Sequence, residues 1–133
     1  MIEKAIASRL SAASSITNLV STRIYSLERP QVSDLPAIIF TRISTDRDDM
    51  AHDGAMGAAE AIMQVSCYSE TLSEAMAISE QVRLLFHGWE GTAGGVEILL
   101  SKIVNENVFL NNEEDLKSVI LDLSCLYRED TIS

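Results

Sequence analysis

The chain has 133 residues, of which 47% are hydrophobic and 23% charged, and 10 Lys and Arg against 20 Asp and Glu leave a net charge of −10. A single globular domain spanning 1–133 is expected, large enough to bury a core without help from a disulfide or metal. The acidic balance disfavours nucleic acid as a neutralised ligand, because phosphate binding draws its affinity from clustered basic residues and the ten present are scattered.

No apolar run approaches the ~20 residues of a membrane-spanning helix. Met1 opens directly into Ile2-Glu3-Lys4, so the reading is of a chain neither carried by a signal peptide nor inserted in a membrane. Cys67 and Cys125 lie far apart inside apolar segments, without a CxxC or a nearby histidine pair, which predicts two buried, reduced thiols.

In chain order, Ile2, Ala5, Ile6, Arg9, Leu10 and Ala13 fall at the spacing of an amphipathic helix, with Glu3, Lys4, Ser8 and Ser11 on its other face. Ile16–Val20 reads as a short helical turn or an irregular segment leading to Arg23-Ile24-Tyr25. Turn chemistry fills the stretch from Ser26 to Pro36, with Pro30, Ser33-Asp34 and Pro36. Ala37 to Thr45 is β-branched and aromatic and predicts a strand, with Pro36 at a position where a missing amide donor is tolerated.

Asp46 to Gly54 is polar and predicts a long hairpin tip, followed by a strand from about Ala59 to Ser69 with Ala61, Met63, Val65 and Cys67 on one side. Thr71-Leu72-Ser73-Glu74 has the form of a helix capping box. The helix it opens carries Leu72, Ala75, Met76, Ser79, Val82, Leu85 and Phe86 on one stripe and stops at Gly88. Trp89 to Gly95, with three glycines, reads as a flexible loop. Two strands follow, about Val96 to Asn105 and about Ser118 to Glu129, separated by the acidic turn Asn111 to Asp115. The last strand sets Val119, Leu121, Leu123, Cys125 and Tyr127 on one strongly apolar face. The order α-β-β-α-β-β predicts the α+β class, a largely antiparallel four-stranded sheet with helices packed on one face.

Chemistry has few footholds. Asp46, Asp48, Asp49, His52 and Asp53 gather potential ligands in one loop, but Met50 stands where a calcium loop wants its third ligand and Ala51 where it wants glycine. The loop is open to three readings: a solvated tip, a partner-binding loop or a metal cluster. His87 sits at a helix end, where the dipole favours it. No Gly-x-Ser-x-Gly elbow surrounds any serine, and the Gly91–Gly95 stretch lacks the Lys-Ser/Thr ending of a phosphate loop. Trp89 caps the core or anchors an interface.

Several segments together resemble the tail completion proteins of long-tailed bacteriophages, also called tail terminators or tail-to-head joining proteins. They are Ile6-Ala7-Ser8-Arg9-Leu10, Ile16-Thr17-Asn18-Leu19-Val20, Arg23-Ile24-Tyr25 and Pro30-Gln31, then Leu35-Pro36-Ala37-Ile38-Ile39-Phe40 and His52-Asp53-Gly54. Gln64-Val65-Ser66-Cys67-Tyr68, Glu74-Ala75 and Val82-Arg83 continue the series, and after Gly95 only strand character matches. The resemblance implies a structural virion protein, not an enzyme, without catalytic residues, cofactor or metal. It would cap the tail tube as a hexameric ring and join the tail to the head connector. Implied partners are further copies of itself, the tube protein and a connector or neck protein. DNA would only pass through the lumen, and no membrane is involved. Its place would be the head–tail junction, with the host cytoplasm as the site of assembly, and a prophage would encode it equally well. Asp46, Asp48, Asp49, His52, Asp53, Gly54 and Trp89 are the expected oligomer or partner contacts. The alternatives are a head-side neck component and a small metal-binding module.

Overall fold

The computed structural model describes residues 2–26, 35–47, 58–111 and 116–128. These form helices α1 (Ile2–Ala12), α2 (Ser14–Val20) and α3 (Leu72–Phe86), and strands β1 (Ile24–Ser26), β2 (Ala37–Arg47), β3 (Ala58–Ser69), β4 (Trp89–Ala93), β5 (Val96–Asn111) and β6 (Leu116–Arg128). All six strands join one sheet in the order β1-β2-β3-β6-β5-β4. β1 runs parallel to β2 and every other pair is antiparallel.

The expected four-stranded antiparallel sheet is therefore corrected to a six-stranded mixed one. Two short edge strands make the difference. β1 is three residues long, too short to show a period, and is tied in by the Ile38 amide donating to the Arg23 carbonyl at 2.9 Å and the Arg23 Nε donating to the Pro36 carbonyl at 2.7 Å. β4 occupies the glycine-rich stretch expected to be a flexible loop. Gly94 and Gly95, at φ +57° and +79°, form the two-residue turn joining β4 to β5, the left-handed pair that a tight hairpin favours.

The core lies between the helices and one face of the sheet. Ala59, Ala61, Met63, Val65 and Cys67 of β3 alternate into it beside Val119, Leu121, Leu123, Cys125 and Tyr127 of β6, all buried. Ile2, Ala5, Ile6 and Leu10 of α1, Ile16 and Val20 of α2, and Ala75, Ile78, Val82 and Phe86 of α3 close it from above. The α3 stripe is turned slightly from the expected one: Ile78 is buried, while Met76 is half exposed at 49%.

The start of α3 is capped by a relay. The Glu74 amide donates to the Thr71 hydroxyl at 3.3 Å, while the Glu74 carboxylate accepts from the Ser69 hydroxyl instead of the Thr71 amide. Ser69 Oγ in turn accepts from that amide at 3.3 Å, so the helix start is pinned to the end of β3. At the other end the His87 amide donates to the Arg83 carbonyl at 2.8 Å and Gly88 turns at φ +75°.

Candidate functional site

Trp89 is held from three sides. The Arg9 guanidinium of α1 lies 3.9 Å from the centre of its ring, Phe86 meets it edge to face at 6.2 Å and 85°, and a Cβ on Gly91 would come within 3.2 Å of the indole. Arg9 is itself fixed, donating from Nε and Nη2 to the Leu85 carbonyl at 3.1 and 2.8 Å. Burial lowers its pKa from the ordinary value, yet a guanidinium stays charged. These contacts explain why Arg9 lies on the apolar stripe of α1: its charge is spent on a carbonyl and two aromatic faces. Trp89 is half-buried and belongs to the partly buried shell around the core. The open groove between α1 and the β4–β5 turn, lined by Ser8, Arg9, Leu85, Thr92 and Gly94, runs beside this cluster.

Asp46 stands near the end of β2, exposed and directly across from Glu60 of β3. It and Trp89 sit on strands separated by β3, β6 and β5, so the sheet does not bring these two expected contact residues together. Asp48, Asp49, His52, Asp53 and Gly54 lie outside the described residues, as do Pro30-Gln31 and the acids Glu113, Glu114 and Asp115.

Reactive groups inside the fold are occupied or suppressed. Burial pushes the Cys67 thiol far above its ordinary pKa, with Glu106 adding to the rise, and pushes Cys125 up to about 12. Both are free, buried thiols, inert as nucleophiles in that form. His87 Nδ1 accepts from the Ile103 amide at 3.1 Å and so links the end of α3 to β5. Among the described residues no group of three or more His, Cys, Asp or Glu could hold a metal, and no helix is long and apolar enough to cross a membrane.

The surface opposite the helices is mixed, with Ile62, Ile120 and Leu126 set among polar side chains. Ser124 Oγ donates to Glu60 Oε2 at 2.6 Å, and Asn105 Nδ2 donates to Asp122 Oδ2 at 3.4 Å. Toward the end of β5 the exposure changes character. β4 pairs with β5 only as far as Ser101, and every residue from Val104 to Leu110 is exposed, including Val104 at 50%, Val108 at 46%, Phe109 at 54% and Leu110 at 56%. Sequence reasoning missed this strip. Its one signal is the apolar run Val108-Phe109-Leu110 between Asn107 and Asn111, which on its own looks like a core strand.

Among the described residues the two thiols and His87 are tied into packing, and the end of β5 leaves an apolar stretch exposed. The chain belongs to the family described as Tail completion protein gp17, whose model matches residues 4–128, and is a structural protein of the phage tail. A chain from the virion of a native gene transfer agent particle shares the fold, with a TM-score of 0.73 over 94% of this chain and 92% of that one at 16% identity. No curated protein matches at a significant level.

Proposed function

We propose that the protein closes the end of the finished tail tube as a six-membered ring and joins it to the connector of the head. The observation that carries this reading is the family match over residues 4–128. The open strand end supports it, because a ring subunit needs a surface that is satisfied only by a neighbour. The tube protein would meet one side of the ring and a connector or neck protein the other, at the head–tail junction. Asp46, with Asp48, Asp49, His52, Asp53 and Gly54 that follow it in the chain, would contribute contacts to these partners.

DNA would pass through the ring without being held. Six copies of a chain of charge −10 bring roughly −60 to the assembly, which repels a polyanion. Exposed Asp46 and Glu60, and Asp122 on the same face of the sheet, place some of that charge on the surface away from the helices, where Lys102 and Arg128 offset part of it.

Incubation of the purified protein with headless tails and, separately, with tailless heads tests the reading. Binding to tails, followed by productive joining when heads are added, is the expected result. Binding to heads alone would contradict it and assign the protein to the head-side neck.

A further inference from the structure

Along its outer side β5 is first occupied and then bare. The Ser101 carbonyl accepts there from the Gly88 amide at 2.8 Å, and the Ile103 amide donates to His87 Nδ1 at 3.1 Å. Directly opposed residues of an antiparallel pair turn their main-chain groups either toward each other or both away. Ser101 and Ile103 lie opposite Cys125 and Leu123 of β6, which therefore turn away from β5. β6 runs against β3 without irregularity, so Leu121, Val119 and Lys117 turn away as well, and with them their β5 partners Glu106, Val108 and Leu110. These three aim their amides and carbonyls out of the sheet, where no described strand meets them.

We propose that this stretch pairs with itself: in the free protein β5 runs antiparallel to β5 of a second copy, about a two-fold axis through Val108, with Glu106 opposite Leu110. Of the registers that set outward groups against each other, the one centred on Val108 matches all three residues. It stops short of Ile103, whose amide His87 already holds. Each of the three opposed pairs exchanges two main-chain hydrogen bonds.

The residues of the strip favour such a contact. Val104-Asn105-Glu106-Asn107-Val108-Phe109-Leu110 are all exposed and include neither proline nor lysine, the devices that keep an edge strand from pairing. The strip holds one charge on a chain of charge −10, so a second acidic copy can approach here. That charge also finds an attraction. Glu106 of one copy falls in one row, on one face, with Leu110 and Lys117 of the other.

The helix beside the strip fits the same contact. α3 starts just after Ser69, which pairs with Lys117 at the level of Leu110, and ends where His87 reaches Ile103. Met76, Glu80 and Arg83 recur at helical spacing on the His87 side of α3. Glu80 and Arg83 form an ion pair and neutralise each other, while Met76 is half exposed and stands near the level of Val108. Two copies related by the axis bring Met76 and Val108 of each toward the other.

A contact that uses the same edge in both copies is isologous and ends at two. It is therefore not a ring contact. Under the ring reading above, on which this consequence rests, it covers the apolar strip before a tube end is met. Five residues on each side fall short of the ~1,200 Å² of a stable interface, so the dimer is expected to be reversible.

The test is sedimentation of the full chain over a wide concentration range, with a monomer–dimer equilibrium as the expected result. Val108→Pro removes one outward amide from each copy and no bond of the ladder, so circular dichroism should stay unchanged. The dimer dissociation constant should rise at least about ten-fold. Val108→Cys should give a disulfide-linked dimer under mild oxidation, its Cα atoms about 5.5 Å apart across the axis. Val104→Cys should not, and Glu106→Cys and Leu110→Cys should link only when mixed. The native thiols are buried and stay silent. Self-association that Val108→Pro leaves unchanged, or cross-linking of Val104→Cys as fast as of Val108→Cys, would overturn the two-fold pair. A monomer at every concentration would overturn it too. Capping of tubes is read separately, by incubation with headless tails, so the ring reading stands or falls on its own result.

Discussion

At the scale of single residues the fold is locked by a few contacts between α1 and the sheet. Gly94 is one: its φ is +57°, and a Cβ there would stand 2.6 Å from the Lys4 carbonyl oxygen, a backbone atom that cannot swing aside. Gly94→Ala should cost about 2 kcal/mol or more, from backbone strain and the displacement of α1, read as a lower urea midpoint at unchanged slope. A second lock is the ion pair in which Arg42 Nε and Nη2 donate to the Glu3 carboxylate at 3.0 and 2.6 Å. Burial alone would raise the Glu3 pKa, but hydrogen bonds and charge from Arg42 override it and hold it below the ordinary 4.5. A depressed carboxyl contributes stability that is fully present above its unfolded value and is lost as pH falls through the folded one. Acid titration should therefore show a loss of stability below about pH 4.5 that Glu3→Gln removes.

At the scale of elements, what was legible depended on whether a period could be completed. α3 announces itself through Thr71-x-x-Glu74 and a long stripe, and β6 through five alternating apolar residues, because their burial is one-sided and extended. β1 and β4 do not, since three or five residues at a sheet margin hold no period and β4 carries a glycine and a half-exposed tryptophan. The glycines that suggested mobility are instead the turn that makes β4 a strand. Of the expected contact residues, Asp46 can be placed at the end of β2 and Trp89 against Arg9 and Phe86. The open end of β5 could not be read from the chain, because exposure there depends on where β4 stops, a fact of pairing and not of composition. The capping relay gives a prediction at this scale. Thr71→Ala should lower stability by about 1 kcal/mol through loss of the acceptor for the Glu74 amide, and Thr71→Ser should restore most of it, both measured by thermal unfolding.

For the whole molecule, the described residues form one six-stranded sheet with its helices on one face, a mixed polar and apolar face opposite, and an exposed apolar stretch toward the end of β5. A ring subunit needs a surface that a neighbour satisfies, and under the reading proposed above the acidic charge of the chain would keep DNA from being held. The central claim is that this chain caps a tail tube as a six-membered ring. Cryo-electron microscopy of headless tails incubated with the purified protein tests it most directly. Six-fold density added at one end of each tube, absent from tubes left untreated, is the predicted result. Tube ends that stay bare, while the same protein decorates the connectors of tailless heads, would contradict it.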